Sequence, residues 1–404
     1  MQNTPKSLRL QIALMGRVNA GKSSFLNLVT GQQTAIVSPV AGTTTDVVEK
    51  AQELQPFGPV LWIDTAGFDD KSVLSGKRME KTLAVFDRAD VILLICRGDE
   101  IAVPEREIIR LADERKIPLI KIYNQTGKHQ MTATGGIRCN AVDISERDRV
   151  LNELKSALIK VCPDDFLNAQ PLVADLAPEH STVVMLIPLD YEAPKGRLIM
   201  PQVQAIRDCL DHNQNVSAVK ENDYTAALNN FKIPPALVVC DSQIVDTMVK
   251  LTPPEIKCTT FSILMARFKG DLGKMVRGAA MIDKLKDGDK VLIAESCTHH
   301  AAEDDIGRVK IPNWLKKKTG KEIIVDHVSG CDFPQNLREY KLVIQCGGCT
   351  INRREILSRI YKCEQAGVAI TNYGVCISEL KGVLQRVLEP FGSVYADYLK
   401  AKQR

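Results

Sequence analysis

Two sets of residues in this 404-residue chain have the types and spacing for chemistry. The first is Gly16-Arg17-Val18-Asn19-Ala20-Gly21-Lys22-Ser23, which fits the pattern G-x-x-x-x-G-K-[ST]. Gly16 and Gly21 permit a tight loop whose backbone N–H groups wrap phosphates, facing the N-terminus of the helix that follows. In such a loop Lys22 reaches the β- and γ-phosphates and Ser23 ligates Mg2+. Asn19, Ala20 and Ser24 complete the phosphate-side set. Further on, Gly42-Thr43-Thr44-Thr45-Asp46 offers a threonine that can complete Mg2+ coordination and sense the terminal phosphate: Thr44 first, with Thr43 and Thr45 as its rivals. An apolar run then ends in Asp64-Thr65-Ala66-Gly67. There Asp64 can hold the Mg2+ shell through water, and the Gly67 N–H can bind the γ-phosphate.

The second set is sulfur. Cys297-Thr298-His299 is followed, after 46 intervening residues, by Cys346-Gly347-Gly348-Cys349. A Cys-x2-Cys pair at a strand-to-helix turn points both thiolates into one concavity. The two glycines let the backbone bend and expose N–H groups to sulfur. Cys297 supplies a third thiolate from a different strand end. Three soft ligands suit an iron–sulfur cluster or zinc. A Cys3His zinc site using His299 and a redox dithiol of Cys346 and Cys349 are the alternatives. The other nine of the twelve cysteines have no partner at ligand spacing and read as packing residues.

The elements that must position these groups follow from hydrophobic pattern. Leu8–Met15, Val60–Ile63, Val91–Cys96 and Leu119–Tyr123 are short apolar runs, alternating with helical patterns such as Glu105–Arg115 and Ser145–Val161. That alternation predicts a doubly wound, mostly parallel α/β sheet. Prolines near 163 and at 253–254 punctuate the chain. Strands at Thr182–Leu189 and Pro235–Cys240 flank a helix at Pro201–Asn213. Strands at Lys290–Glu295, Glu322–Val325 and Lys341–Ile344 precede a helix at Arg353–Ala366. Three α/β domains are expected, at 1–168, 169–260 and 261–404.

Composition narrows the classes. The net charge of +4 is spread without basic blocks, so a nucleic-acid partner is not expected. No apolar run approaches a bilayer span, and Met1–Leu10 lacks the pattern of a signal peptide, so no membrane partner and a cytoplasmic setting are expected. In a reducing compartment, twelve cysteines argue for thiols or metal ligands before disulfides.

The phosphate-site motifs resemble those of the translation-factor-like GTPases, most closely the group with Asn in the phosphate loop and Gly-Thr-Thr in the first switch. The resemblance implies GTP as substrate with Mg2+, and a K+ ion held by Asn19 in place of an arginine finger. Phe68 follows Gly67 where other GTPases carry a water-orienting Gln, so slow intrinsic hydrolysis stimulated by K+ is expected. The base-reading motif Asn-Lys-x-Asp is replaced by Asn124-Gln125-Thr126-Gly127, with Cys139-Asn140-Ala141 in place of the Ser-Ala contact loop. Asn124 is retained, whereas Gly127 brings no carboxylate to guanine.

Adding Ala193–Leu198, Pro201–Gln204 and Cys-x-His-x46-Cys-x2-Cys, residues 8–404 together resemble the GTPases of FeFe-hydrogenase maturation. The resemblance implies a P-loop GTPase domain, a small α/β dimerisation domain and a C-terminal α/β domain with a 4Fe-4S cluster on Cys297, Cys346 and Cys349. It also implies a homodimer and a scaffold role. The chain would receive the binuclear iron precursor of the hydrogenase active site and deliver it to apo FeFe-hydrogenase, with two radical-SAM maturases as further partners. Many family members carry His before Cys-x2-Cys; this chain has Gln345, which leaves His299, Glu295 or water as the fourth ligand. The competing function is an RNA- or ribosome-associated GTPase with a structural zinc site. It calls for a colourless protein and salt-dependent RNA binding.

Overall fold

The computed structural model describes residues 4–31, 48–65, 67–68, 83–125, 134–162, 170–188, 198–296, 305–330, 333–334, 336 and 337–402. The chain divides into two compact units, Met1–Ala169 and Gln170–Arg404.

The first unit is built on β1 (Leu10–Met15), α1 (Lys22–Thr30), β2 (Val48–Leu54), β3 (Gly58–Asp64), β4 (Val91–Arg97), α2 (Val103–Glu114), β5 (Leu119–Asn124), β6 (Ile137–Cys139) and α3 (Arg147–Val161). The strands lie in the order β2-β3-β1-β4-β5-β6, parallel except for the antiparallel β2–β3 pair. Every residue of β1 is buried, as expected for a strand covered on both faces. Its alternate residues feed two cores. Leu10, Ile12 and Leu14 pack with Phe25 and Leu26 of α1 and Leu154 and Leu158 of α3. Ala13 and Met15 pack on the opposite face with Ile108 and Leu111 of α2. The strand β2 has no apolar run and is largely accessible, which is why hydrophobic pattern does not announce it.

The second unit holds two four-stranded parallel sheets. One contains β7 (Thr182–Leu186), α4 (Met200–Asp211), β8 (Asn215–Val219), α5 (Tyr224–Asn230), β9 (Leu237–Cys240), α6 (Val245–Leu251) and β10 (Lys257–Thr260), in strand order β10-β9-β7-β8. Thr260 then caps α7 (Phe261–Lys269), its hydroxyl accepting the Ile263 N–H, and α8 (Leu272–Ala279) follows. The other sheet contains β11 (Lys290–Ala294), α9 (Ile311–Thr319), β12 (Ile324–Val328), β13 (Tyr340–Gln345), α10 (Arg353–Ala366), β14 (Ala369–Asn372) and α11 (Tyr373–Leu380). Its order is β12-β11-β13-β14. Chain order therefore reverses between β11 and β13, the kind of switch point at whose C-terminal strand ends α/β sheets bind ligands. One continuous hydrophobic core joins both sheets of this unit. Among the described residues, no helix is long and apolar enough to cross a membrane.

Gly278 of α8 fixes how closely that helix approaches β14. A Cβ there would lie 1.9 Å from the Ile370 carbonyl oxygen, a backbone atom that cannot step aside. Gly278→Ala is expected to destabilise the second unit by about 3 kcal/mol, the upper range of overpacking effects. A native-like thermal midpoint by circular dichroism would show that the helix shifts at little cost.

Candidate phosphate and sulfur sites

The phosphate loop leaves β1, at the centre of the first sheet. Gly16 and Gly21 adopt φ of 152° and 94°, and Asn19 sits at φ 59°, a left-handed conformation that asparagine tolerates better than most side chains. Gly21 is the N-cap of α1, and its carbonyl accepts the first helical hydrogen bond from Phe25 N at 2.8 Å. The buried Lys22 ammonium donates to the carbonyls of Gly16 (3.2 Å) and Arg17 (2.8 Å), at the centre of the loop. Ala20 is buried, Ser24 lies in the first turn of α1, and Asn19 is exposed on the loop rim.

Asp64 ends β3 beside this loop. Ser23 Oγ donates to Asp64 Oδ2 at 2.7 Å, while Asp64 Oδ1 is buried without a hydrogen-bond partner among the described residues. Burial raises the Asp64 pKa against the opposing pull of the Ser23 hydrogen bond and of Lys22. A hydroxyl beside a carboxylate with one unsatisfied buried oxygen fits a hard divalent cation such as Mg2+. The Phe68 N–H donates to the Gly16 carbonyl at 3.1 Å, and a Cβ on Gly67 would lie 2.6 Å from Val18 N. Gly67 and Phe68 are thereby pressed against the phosphate loop. Phe68 itself is buried in the core.

Asn124, at the end of β5, braces the loop on its other side. Its Nδ2 donates to the Ala20 carbonyl at 2.9 Å, and its Oδ1 accepts the Ala141 N–H at 2.9 Å. The neighbouring carboxylates have other work: Glu146 accepts Asn140 N and pairs with Arg149, and Asp143 caps the turn at Ser145. Sequence pattern did not reveal the clamp between Arg17 and Glu105. Arg17 Nε lies 2.5 Å from Glu105 Oε1, and the fully buried Glu105 also accepts the Ala102 N–H at 3.1 Å at the start of α2. The helical pattern beginning at Glu105 was legible; the partner of Glu105, 88 residues away, was not.

In the second unit, Cys346 and Cys349 lie in the loop after β13, at the switch point between β13 and β11. Cys346 Sγ accepts the Ser296 N–H at 3.1 Å and lies 3.2 Å from Ser296 Oγ. The N–H that meets this sulfur thus comes from the loop after β11, not from the loop's own glycines. Burial pushes the Cys349 thiol up to about 11, with the Cys346 charge adding to the rise and Lys269 opposing it. Lys269 is buried beneath the loop, and burial lowers its pKa to about 8 against the charges of Cys349 and Cys346. Tyr373 OH donates to Glu295 Oε1 at 3.1 Å, so this candidate fourth ligand is already engaged. Gln345 is buried with Oε1 unpartnered among the described residues. Asn372 caps α11 and ties it to Ser262 on α7. Thr44, Cys297, His299 and Gly127 lie outside the described residues. Among the described residues no group of three His, Cys, Asp or Glu is poised to hold a metal. Two sulfurs in one loop at the switch point, one of them met by a backbone donor, have the chemistry that suits a soft metal.

Eight of the cysteines read as packing residues are buried: Cys96, Cys139, Cys162, Cys209, Cys240, Cys258, Cys363 and Cys376. Burial pushes their thiols up, to about 12 for Cys96 and Cys363, which suits inert core groups.

The first unit is a P-loop GTPase domain: residues 11–125 match the family described as 50S ribosome-binding GTPase. Residues 172–270 match the hydrogen maturase F dimerization domain, and residues 273–390 the hydrogen maturase F tetramerization domain. The chain belongs to the hydrogen maturase F family. Curated relatives match the GTPase part. The tRNA modification GTPase MnmE of Zymomonas mobilis is 31% identical over 157 residues, 39% of this chain and 34% of that protein. GTPase Der of Kosmotoga olearia is 31% identical over 123 residues, 29% of this chain and 28% of that protein. The chain thus spans about a third of the length of these relatives. Among solved structures, Era of Aquifex aeolicus bound to GDP.AlF4- is 18% identical with a TM-score of 0.34, covering 52% of this chain and 92% of that one.

Proposed function

We propose that this chain is a K+-stimulated GTPase that carries a 4Fe-4S cluster on Cys297, Cys346 and Cys349. In this reading it receives the binuclear iron precursor of the FeFe-hydrogenase active site and delivers it to apo-hydrogenase. Two radical-SAM maturases act upstream. The GTPase, dimerisation and cluster-bearing parts are taken as 1–168, 169–260 and 261–404, in a cytoplasmic homodimer. The observation that carries the reading is the pairing of Cys346 and Cys349 at the β11/β13 switch point, with Ser296 N–H on Cys346, in a chain of the hydrogen maturase F family. The cluster would supply an iron whose fourth ligand exchanges for incoming cargo. The protein's part is to hold three sulfurs and shield them. Lys22, Ser23, Asp64, Gly67 and Thr44 hold the phosphates and Mg2+, and the rim residue Asn19 takes K+.

Anaerobic reconstitution with iron and sulfide tests the reading, with electron paramagnetic resonance as readout. A reducible cubane signal is expected. A colourless chain that binds one zinc instead would sink it in favour of the structural-zinc alternative.

The nucleobase site bears on the substrate. The sequence has no acidic residue between Glu114 and Asp143, so the loop after β5 brings no carboxylate to guanine N1–H and N2–H. Charge-assisted hydrogen bonds of that kind contribute about 1.5–3 kcal/mol each. GTP, inosine triphosphate and xanthosine triphosphate are therefore expected to bind within about tenfold of one another, where a facing carboxylate would separate them by about a hundredfold or more. Competition against a fluorescent nucleotide measures this, and phosphate release in K+ against Na+ measures the cation effect. Hundredfold preference for GTP would show that another group reads the base, and equal turnover in the two salts would remove K+.

A further inference from the structure

We propose that Lys269 is the fixed counter-charge of the Cys346–Cys349 site, a positioning residue that favours the more negative state of the group those sulfurs hold. The proposal rests on the cluster reading above. Lys269 is the last residue of α7 and only 1% exposed. Its ammonium donates to the carbonyls of Gly348 (2.9 Å), Ile351 (2.8 Å) and Cys349 (3.4 Å), all in the sulfur-bearing loop. Gly348 makes this cradle possible: it adopts φ +66°, and a Cβ there would meet Ile356 Cδ1 at 2.6 Å.

Three neutral carbonyls satisfy the donors of an ammonium but do not cancel its charge. A buried charge is retained at large desolvation cost unless an opposite charge is close by. Among the described residues Lys269 makes no salt bridge; Glu355, paired with Arg359 at 3.2 Å, acts on it less than the two sulfurs do. The groups that share the loop with its three acceptors are the sulfurs of Cys346 and Cys349, which become thiolates when they ligate metal. A cluster held by three thiolates is an anion, and a cation fixed beneath it through the backbone lowers the energy of adding an electron. A loop that needed only a tether could take it from a neutral donor; a buried ammonium adds charge to the tether.

The experiment is a redox titration of the reconstituted cluster in the full chain, followed by electron paramagnetic resonance, for the native protein, Lys269→Met and Lys269→Arg. Lys269→Met is expected to lower the reduced-to-oxidised ratio at a fixed potential about tenfold, equivalent to about 59 mV for one electron. Lys269→Arg, which keeps the charge, is expected to stay within about twofold of native. An unchanged potential in Lys269→Met, or equal shifts in both variants, overturns the proposal. If Lys269→Met assembles no cluster, the arginine variant decides: a native potential supports the charge, and failure of both overturns it. A native chain that assembles no cluster fails the reading above and takes this proposal with it, whereas a native cluster insensitive to Lys269 refutes the proposal alone.

Discussion

Gly21→Ala should weaken nucleotide binding at least about a hundredfold while leaving the second unit folded. Two independent costs meet at this residue. Its φ of 94° is a conformation that side chains with a Cβ rarely adopt. The added Cβ would also lie 2.1 Å from Asn124 Nδ2. That nitrogen cannot simply retreat, because it donates to the Ala20 carbonyl while the other end of the amide accepts Ala141 N–H. The substitution therefore either flattens the phosphate loop or pulls Asn124 away and uncouples the 139–141 segment. Both outcomes misdirect the N–H groups at the start of α1. A loss of about 2.7 kcal/mol in binding corresponds to a hundredfold, less than the combined strain and steric cost expected here. Titration calorimetry with GDP and Mg2+ measures the effect. Native affinity would mean that the loop relaxes freely and that the clamp through Asn124 is not what shapes it. The core of residues 172–398 is built without this loop, so its thermal transition should persist.

Cys346→Ser should retain less than about a tenth of the iron that the native chain binds after reconstitution, and Cys376→Ser should retain nearly all of it. Thiolate is the ligand that iron–sulfur chemistry needs, and a serine oxygen at the same place is a hard, weakly acidic donor. Cys346 stands at the β11/β13 switch point, half-buried, with Ser296 N–H already on its sulfur. Such a backbone donor fixes the side chain's orientation. Cys376 is fully buried in α11 within the apolar core, with its thiol pushed well above the usual range by burial. The pair separates a ligand from a packing thiol in the same domain. Iron and sulfide analysis with electron paramagnetic resonance reads both. Full iron content in Cys346→Ser, or equal losses in the two variants, would sink the assignment of the ligand set.

The elements that carry the sites were legible because each is a local signal. Hydrophobic runs place β1, β3, β4, β5, β7, β9, β11 and β13 within a few residues of their observed bounds, and Arg353–Ala366 forms the expected helix. In a parallel sheet covered on both faces, a strand must be an apolar run, and its C-terminal end must be a loop. The edge strands β2 and β8 escaped for the converse reason, since their residues are largely accessible and need no apolar pattern, while β6, β10 and β14 are three or four residues long, too short to show one. The supporting side chains were less legible. Nothing about Lys269, at the end of a helix in one segment, says that it reaches under a loop 79 residues later. Ser296 and Cys346 are 50 residues apart, and Arg17 and Glu105 are 88 apart.

What the sequence by itself determined are the features whose geometry is written within a few residues. These are the glycine-bent phosphate loop ahead of α1, the aspartate at the end of β3, and the two cysteines flanking Gly347 and Gly348. Each depends on the backbone conformations its own residues prefer and on the strand or helix beside it. Only the tertiary structure decided which groups meet across the sheets. Strand order β12-β11-β13-β14 brings Ser296 to Cys346, and the packing of α7 beneath α10 and the loop after β13 brings the Lys269 ammonium to three carbonyls. Register and layer packing set these contacts through the burial of many residues at once, and no short stretch of sequence contains that sum.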